Sequence, residues 1–161
     1  MIQTGNLPAR TLIGLSRPFI SASSSNSNAD KVIGPLWGEM SKKFFSMTLK
    51  RDANPVGVGA MWRDVEFETD GSMIYFAGYE VHEVPEDLAG LELLEIPESK
   101  YAFVEHNGPI QELPSVITNF YTKLLPESNL DRRVGLDLEI YFENENPELA
   151  PRVVIAAPVN G

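Results

Sequence analysis

The sequence of 161 residues contains no cysteine and only two histidines. Without cysteine there is no disulfide bond, no thiolate nucleophile and no cysteine-ligated metal site. His82 and His106 are too far apart in the chain to form a local metal-binding motif. The glycine pair Gly57-Val-Gly59 leads into Ala-Met-Trp and not into a helix N-terminus, so it does not match a phosphate-binding loop. The sequence therefore indicates neither a metal nor a nucleotide cofactor.

Positive charge is scarce, because 13 Lys and Arg stand against 23 Asp and Glu and the formal net charge is −10. A nucleic-acid surface needs clustered Lys and Arg, and the longest basic runs here are three pairs. We therefore expect no direct contact with nucleic acid. An acidic surface favours cationic ligands over anionic ones, although a net charge of this size also serves solubility. The basic pairs are Lys42-Lys43, Lys50-Arg51 and Arg132-Arg133.

Long apolar runs are also absent, since nowhere do about 18 apolar residues follow one another. The N-terminus lacks a basic region followed by an apolar run, which a secretion signal would require. These absences predict a cytoplasmic protein that does not enter a membrane. The hydrophobic fraction of 43% and the charged fraction of 22% are typical of a packed globular domain. We expect a single domain over residues 1–161.

The first half of the chain predicts one helix among three strands. Pro35 begins a stretch with apolar residues at helical spacing, so we expect a helix over about 35–45 that contains Trp37. The polar, low-complexity stretch Ser21–Asn28 predicts an exposed loop. Apolar and β-branched residues predict strands at 9–15, 56–62 and 73–81, with a turn at Asp70-Gly71 before the last one.

The second half repeats this order with strand material at 91–96 and 100–106, a helix from Pro114 to Pro126, and strands at 136–142 and 152–159. A constant offset of 79 residues relates the halves, because it pairs Pro35 with Pro114, Ala60 with Glu139, Trp62 with Tyr141 and Ala77 with Ala156. The first strands leave this register because the Ser-rich stretch lengthens the first half. We predict an α+β fold of duplicated β-α-β-β units, about 9–81 and 95–159, related by a pseudo-two-fold axis. Such units place two main helices over an antiparallel sheet, with a central cleft between the halves.

Four segments carry a more specific signal: Tyr75–Val81 (YFAGYEV), Leu94–Pro109, Asp137–Phe142 (DLEIYF) and Val153–Val159. In this order they resemble the GyrI-like family, which includes the effector-binding domains of multidrug-responsive transcription regulators. The resemblance covers nearly the whole chain. It implies a cleft in which aromatic residues stack on flat lipophilic cations, with a buried negative charge from the Glu of a Glu-x-Tyr strand.

Glu139 and Tyr141 match that Glu-x-Tyr strand. Alternation along the strand points Leu138 and Ile140 into the core and Glu139 and Tyr141 to the other face, where a lone Glu is usually exposed. The ligand-binding role of Glu139 is therefore implied by the resemblance. A carboxylate in an aromatic cleft attracts organic cations, and each ring adds a cation–π contact.

Three further aromatic residues are candidate ligand-binding residues: Trp37, Trp62 and Tyr75. Trp62 is the partner of Tyr141 under the 79-residue offset, so symmetry would bring both to the cleft. For each of the three, an ordinary place in the core is an equally good explanation.

Two other functions stay open at this point. Some members of the family hydrolyse strained electrophilic natural products, in which case Glu139 would act as a general base or orient a water molecule. The sequence has no Ser-His-Asp, Cys-His or metal signature, so we favour binding over catalysis. Other members inhibit a larger enzyme such as a topoisomerase.

Many members are fused to a DNA-binding helix-turn-helix, but the first predicted strand here begins within about ten residues of Met1. We expect a free-standing member, for which a regulator or enzyme partner would be a separate chain.

Overall fold

The computed structural model of the chain describes residues 1–21, 27–47, 55–63, 72–142 and 152–161. The chain divides into two compact units. The first unit is Arg10–Ile96, and the second unit combines Met1–Ala9 with Pro97–Gly161. Most of the loop predicted at 21–28 and the whole Asp70-Gly71 turn lie outside the described residues. Within the described ranges, no helix is both long enough and apolar enough to cross a membrane.

The described residues form eight strands, which are β1 (Gln3–Leu7), β2 (Arg10–Ile20), β3 (Gly57–Arg63), β4 (Ser72–Glu80), β5 (Glu92–Ile96), β6 (Ser99–His106), β7 (Asp137–Phe142) and β8 (Arg152–Pro158). The helices of these ranges are α1 (Ala29–Ser46), α2 (Leu113–Asn119) and α3 (Leu125–Glu127). A 3-10 turn (Ile110–Glu112) leads into α2, and a π-helical turn (Phe120–Leu124) joins α2 to α3.

The first unit is an antiparallel sheet in the order β3-β4-β2-β5, with α1 packed on β2 and β4. Its core lies between the helix and the sheet. Alternate residues of β2 and β4 meet the apolar side of α1 there, as the period of two in a strand requires. The buried side chains of this core include Ile13, Leu15, Leu36, Met40, Phe44, Tyr75 and Ala77.

Helix α1 begins at Ala29, so the prediction that Pro35 starts the helix is wrong. The backbone carbonyl of Asn28 accepts the first helical hydrogen bonds, from the amide of Lys31 at 2.9 Å and that of Val32 at 3.2 Å. Val32 packs against the core, so apolar contact stabilises helical turns ahead of the proline. Pro35 itself lies on the exposed side of the helix, where the missing N–H costs one hydrogen bond but no core contact.

The second unit is an antiparallel sheet in the order β1-β6-β8-β7. The core on its helix side is formed by buried residues of β6, β8 and the helical segment, among them Val104, Leu113, Phe120, Val153 and Ile155. Strand β1 had no sequence prediction. Its segment Gln-Thr-Gly-Asn-Leu has no apolar alternation, and main-chain pairing with β6 holds it at the edge of the sheet. The prediction of an α+β fold with duplicated β-α-β-β units is confirmed.

The 79-residue offset holds for the pairing register of both units. Ala60 lies opposite Phe76 in the first unit, and Glu139 lies opposite Ile155 in the second. Residues related by this offset nevertheless lie on opposite faces of their sheets, because the residues that point to the helix side correspond at a spacing of 80, as Met61 and Tyr141 do. Met61 packs on the helix side of the first sheet, whereas in the second sheet it is Tyr141 that packs there.

Candidate functional site

Glu139 lies in the middle of β7 and is buried, with an exposed fraction of 9%. Its chain neighbours Leu138 and Ile140, on the other face of the strand, are also buried. Strand β7 is therefore covered on both sides, and the face that alternation alone would leave to solvent is not exposed. The buried carboxylate agrees with what the family resemblance implied for this position.

Tyr141 lies two residues further along β7, on the same face as Glu139. Its ring packs against the helix-side core of the second unit, and its hydroxyl donates a hydrogen bond to the Glu139 carboxylate. Burial raises the pKa of Tyr141 well above its ordinary value, and the negative charge of Glu139 raises it further. Tyr141 is therefore a neutral hydrogen-bond donor beside the carboxylate at physiological pH.

A second carboxylate lies on this face of β7, at Asp137. The hydroxyl of Tyr121, which comes from the π-helical turn, donates to Asp137 Oδ2 at 3.0 Å. Burial raises the pKa of Tyr121 strongly, with further contributions from the charges of Asp137 and Glu139. Burial also raises the pKa of Asp137, against the opposing effect of the Arg132 charge and the hydrogen bond from Tyr121. Each of the two carboxylates on this face thus accepts a hydrogen bond from a different tyrosine.

Arg132 lies beside the Asp137 pair. Its Nη2 is 3.0 Å from Asp137 Oδ1 and 3.1 Å from Oδ2, and its guanidinium lies 5.7 Å from the centre of the Tyr121 ring. The side chain of Arg132 is 48% exposed, whereas that of Asp137 is 16% exposed. We call Asp137, Glu139, Tyr121 and Tyr141 the carboxylate–phenol row.

Sequence reasoning identified half of this row. Glu139 and Tyr141 match the Glu-x-Tyr pattern, and Asp137, two residues before Glu139 on the same face, is not a sequence candidate. Tyr121 was assigned to a helix with no function. No sequence signal pairs it with Asp137, because that contact depends on how the helical segment lies across the sheet.

The structure brings two other candidates together in the first unit. Trp37 Nε1 donates to the hydroxyl of Tyr75 at 3.0 Å, and the Trp37 ring meets Tyr79 edge to face with centroids 6.1 Å apart. Tyr75 is fully buried and also has an edge contact with Phe19. Tyr75 is thus a core residue that fixes the Trp37 indole.

Trp62 is partly buried and does not belong to that aromatic group. Its neighbour Met61 packs on the helix side of the sheet, so alternation places Trp62 on the side away from α1. Tyr141 lies on the helix side of its own sheet. The two residues share a register position but not a face, so the symmetry argument that linked their roles does not hold.

The histidines offer no second site. His106 is buried at the end of β6, and its Nε2 lies 3.0 Å from the carbonyl oxygen of Pro109. In the part of the chain that the structure describes, no group of three or more His, Asp or Glu side chains is placed to hold a metal ion.

Known proteins resemble this chain in sequence and in fold. The transcriptional regulator BrlR of Pseudomonas aeruginosa is 30% identical over 123 residues, which cover 74% of this chain and 42% of BrlR. The chain therefore spans less than half the length of that curated relative. Solved structures also share the fold at low identity. SAV2435 bound to tetraphenylphosphonium has a TM-score of 0.73 at 16% identity and covers 100% of this chain and 94% of its own. A hydrolase from Listeria innocua has a TM-score of 0.51 at 14% identity, with coverages of 99% and 91%.

The family model of the GyrI-like small molecule binding domain matches residues 2–159, nearly the whole chain. This match agrees with the duplicated β-α-β-β fold and with the buried Glu-x-Tyr strand. The chain belongs to the GyrI-like family of small-molecule-binding domains.

Proposed function

We propose that this domain binds lipophilic organic cations, with Glu139 as the counter-charge and Tyr141 as an aromatic contact. The observation that carries the proposal is a buried carboxylate, hydrogen-bonded by a neutral phenol, on a face lined by apolar and aromatic side chains. The proposal is further supported by SAV2435, which shares this fold and was solved with the lipophilic cation tetraphenylphosphonium.

The physical reason is the cost of burying charge. A carboxylate removed from water is stabilised by hydrogen bonds and by an opposite charge, and a bound cation supplies that charge where water is scarce. The raised pKa of Tyr141 keeps its hydroxyl neutral, so the phenol does not add a negative charge and still presents an aromatic face. The net charge of −10 draws cations toward the protein over a longer range.

The aromatic candidates of the first unit enter the proposal with different roles. Trp37 and Trp62 remain proposed ligand-binding residues, since both are only partly buried. Tyr75 is fully buried, so we assign it a supporting role through its hydrogen bond to Trp37.

The test compares a cation with a neutral compound of related shape. Glu139→Gln keeps the size of the side chain and removes its charge. It should therefore weaken the binding of tetraphenylphosphonium by roughly 1–3 kcal/mol, which is about 5- to 150-fold in affinity. Triphenylphosphine oxide, which is neutral, should lose far less. Calorimetry at one salt concentration measures both affinities. Glu105→Gln is a matched control, because Glu105 lies in the same unit and pairs with Arg152 away from the carboxylate–phenol row. Equal losses for the two compounds in Glu139→Gln would contradict the counter-charge role.

A hydrolase is the second candidate, because a buried carboxylate oriented by Tyr141 can also position a water molecule for attack. The Listeria innocua hydrolase with this fold supports keeping the candidate. Mass spectrometry of strained electrophilic compounds incubated with the protein separates the two functions. A product that accumulates with wild type and not with Glu139→Gln would favour hydrolysis.

The match to BrlR, a transcriptional regulator, supports one further part of the proposal, that ligand binding serves regulation of transcription in the cytoplasm. Affinity capture with the protein as bait, with and without tetraphenylphosphonium, tests this part. A regulator retained only in one ligand state is the expected result, and the same proteins retained in both states would oppose it.

A further inference from the structure

Arg132 shows how an organic cation lies against the carboxylate–phenol row. Its guanidinium is a planar cation that contacts both oxygens of Asp137 and lies near the face of the Tyr121 ring. The Tyr121 hydroxyl also donates to Asp137 Oδ2, at 3.0 Å. A carboxylate and an aromatic ring around one cation are the two features proposed for ligand binding at Glu139 and Tyr141.

The strand backbone fixes the spacing of the two acidic residues. Asp137 and Glu139 are two residues apart on one face of β7, and two steps along a strand span about 6.6 Å. The row therefore presents two carboxylate residues whose backbone spacing is roughly the length of a para-xylylene group, a benzene ring with one carbon at each end. Glu139 also contributes to the raised pKa of Tyr121, so the two positions interact electrostatically.

The Arg132 side chain can leave this position without disturbing the fold. The side chain is half exposed, and an ion pair at that exposure changes a folding or binding equilibrium constant by about fivefold or less. The loop is held by main-chain contacts that a side-chain substitution leaves in place. These are the bridge of Arg132 to Val159 and the hydrogen bond from the amide of Arg133 to the carbonyl of Pro158 at 3.0 Å.

We propose that Asp137 and Tyr121 form a second organic-cation subsite, which Arg132 fills in the ligand-free protein and which receives the second ammonium group of a dication bound at Glu139. The inference rests on the proposed function for the first charge. Arg132 is then a specificity residue: with its guanidinium in place the site favours monocations, and its removal opens the site to compact dications.

The experiment measures two amines that differ by one charge. The dication p-xylylenediamine carries an ammonium group at each end of a benzene ring, and 4-methylbenzylamine carries one. In Arg132→Gln, affinity for the diamine should rise by up to about fivefold relative to the monoamine, because the second ammonium group replaces the guanidinium at Asp137. Adding Asp137→Asn to that variant should remove the gain. Arg132→Met, which keeps the apolar stem beside Tyr121, gives the same measurement if the glutamine variant does not fold.

Arg152→Gln is the matched control. Arg152 is 47% exposed, pairs with Glu105 at 2.6 Å and lies 4.3 Å from the centre of the Phe142 ring, so it repeats the geometry of Arg132 away from Asp137. A selectivity gain in Arg152→Gln equal to that in Arg132→Gln would show a general charge effect and overturn the proposal. An Arg132 variant that changes both amines by the same factor, or neither, would also overturn it.

Tetraphenylphosphonium titrations of the same proteins keep the two proposals apart. Loss of its binding in Glu139→Gln without a diamine gain in Arg132→Gln supports the first charge position and rejects the second. A diamine gain that Asp137→Asn reverses, with tetraphenylphosphonium unaffected by Glu139→Gln, supports the second subsite and rejects the counter-charge role of Glu139.

Discussion

Tyr121 and Tyr141 should make the folded protein sensitive to alkaline pH. Both phenols are partly buried and hydrogen-bonded to carboxylates, and the pKa of each is raised above the ordinary value of 10.0. Above pH 10 the unfolded chain loses these protons while the folded chain keeps them. The free energy of unfolding therefore falls as the pH rises through this range, and the stabilisation is complete only below pH 10.

The size of the effect follows from the linkage between proton binding and unfolding. With an unfolded pKa of 10.0 and a folded pKa well above it, each tyrosine lowers the free energy of unfolding by about 1 kcal/mol between pH 10 and pH 11. Together they lower it by about 2 kcal/mol, a substantial part of the roughly 5–15 kcal/mol that holds a domain folded.

Urea unfolding of wild type, Tyr121→Phe, Tyr141→Phe and the double variant, each at pH 8, 10 and 11, measures this effect. Phenylalanine also removes a hydrogen bond to Asp137 or Glu139, but that loss is present at every pH of the series. The change between pH 10 and 11 therefore isolates the ionisation. We expect the double variant to lose about 2 kcal/mol less than wild type over this step, and each single variant about 1 kcal/mol less. The same pH dependence in wild type and in the double variant would refute the reasoning.

Two further predictions concern the first unit. Tyr75→Phe removes the acceptor of the Trp37 indole N–H and should lower the free energy of unfolding in urea by about 0.5–1.5 kcal/mol. It should also change the tryptophan emission, and this change should be absent in a Trp37→Phe background. Unchanged emission would contradict the hydrogen bond. Gly14→Ala should lower the free energy of unfolding by at least about 3 kcal/mol, because the new Cβ would lie 1.9 Å from the carbonyl oxygen of Ala77. Gly38→Ala, in open space on α1, should instead stabilise the fold by about 0.5–1 kcal/mol. Similar melting temperatures for the two alanine variants would contradict the close approach of β2 to β4.

The order of strands and helices could be predicted from the sequence because hydrophobic periodicity acts locally. Strands β3, β4, β6, β7 and β8 lie within a residue or two of their predicted bounds. The start of α1 and the existence of β1 could not be predicted, for two different reasons. Core contact extends α1 ahead of Pro35, and β1 depends on main-chain pairing with a strand some ninety residues away.

The site was harder to predict than the fold. The resemblance gave Glu139 and Tyr141, but the burial of Glu139 depends on the cover of β7, which the alternation of that strand does not reveal. The pairing of Tyr121 with Asp137 and the position of Arg132 depend on where the π-helical turn and the following loop come to lie. Such contacts between different structural elements leave no trace in local composition.

The helix-side faces of the two units carry different chemistry, although strands β3–β4 and β7–β8 pair in the same register. Equal pairing registers would suggest that Ala60 and Glu139 have equivalent surroundings, but Ala60 is the neighbour of the helix-side Met61 and therefore points to the face away from α1. On the helix side of β3 the chain presents Gly57 and Met61, and a Cβ at Gly57 would lie only 3.4 Å from the Trp37 ring. The helix side of β7 presents the carboxylate–phenol row instead. The first unit thus uses this face for aromatic packing, while the second uses the equivalent face for negative charge, so a search for cation-binding residues by repeat symmetry would miss them.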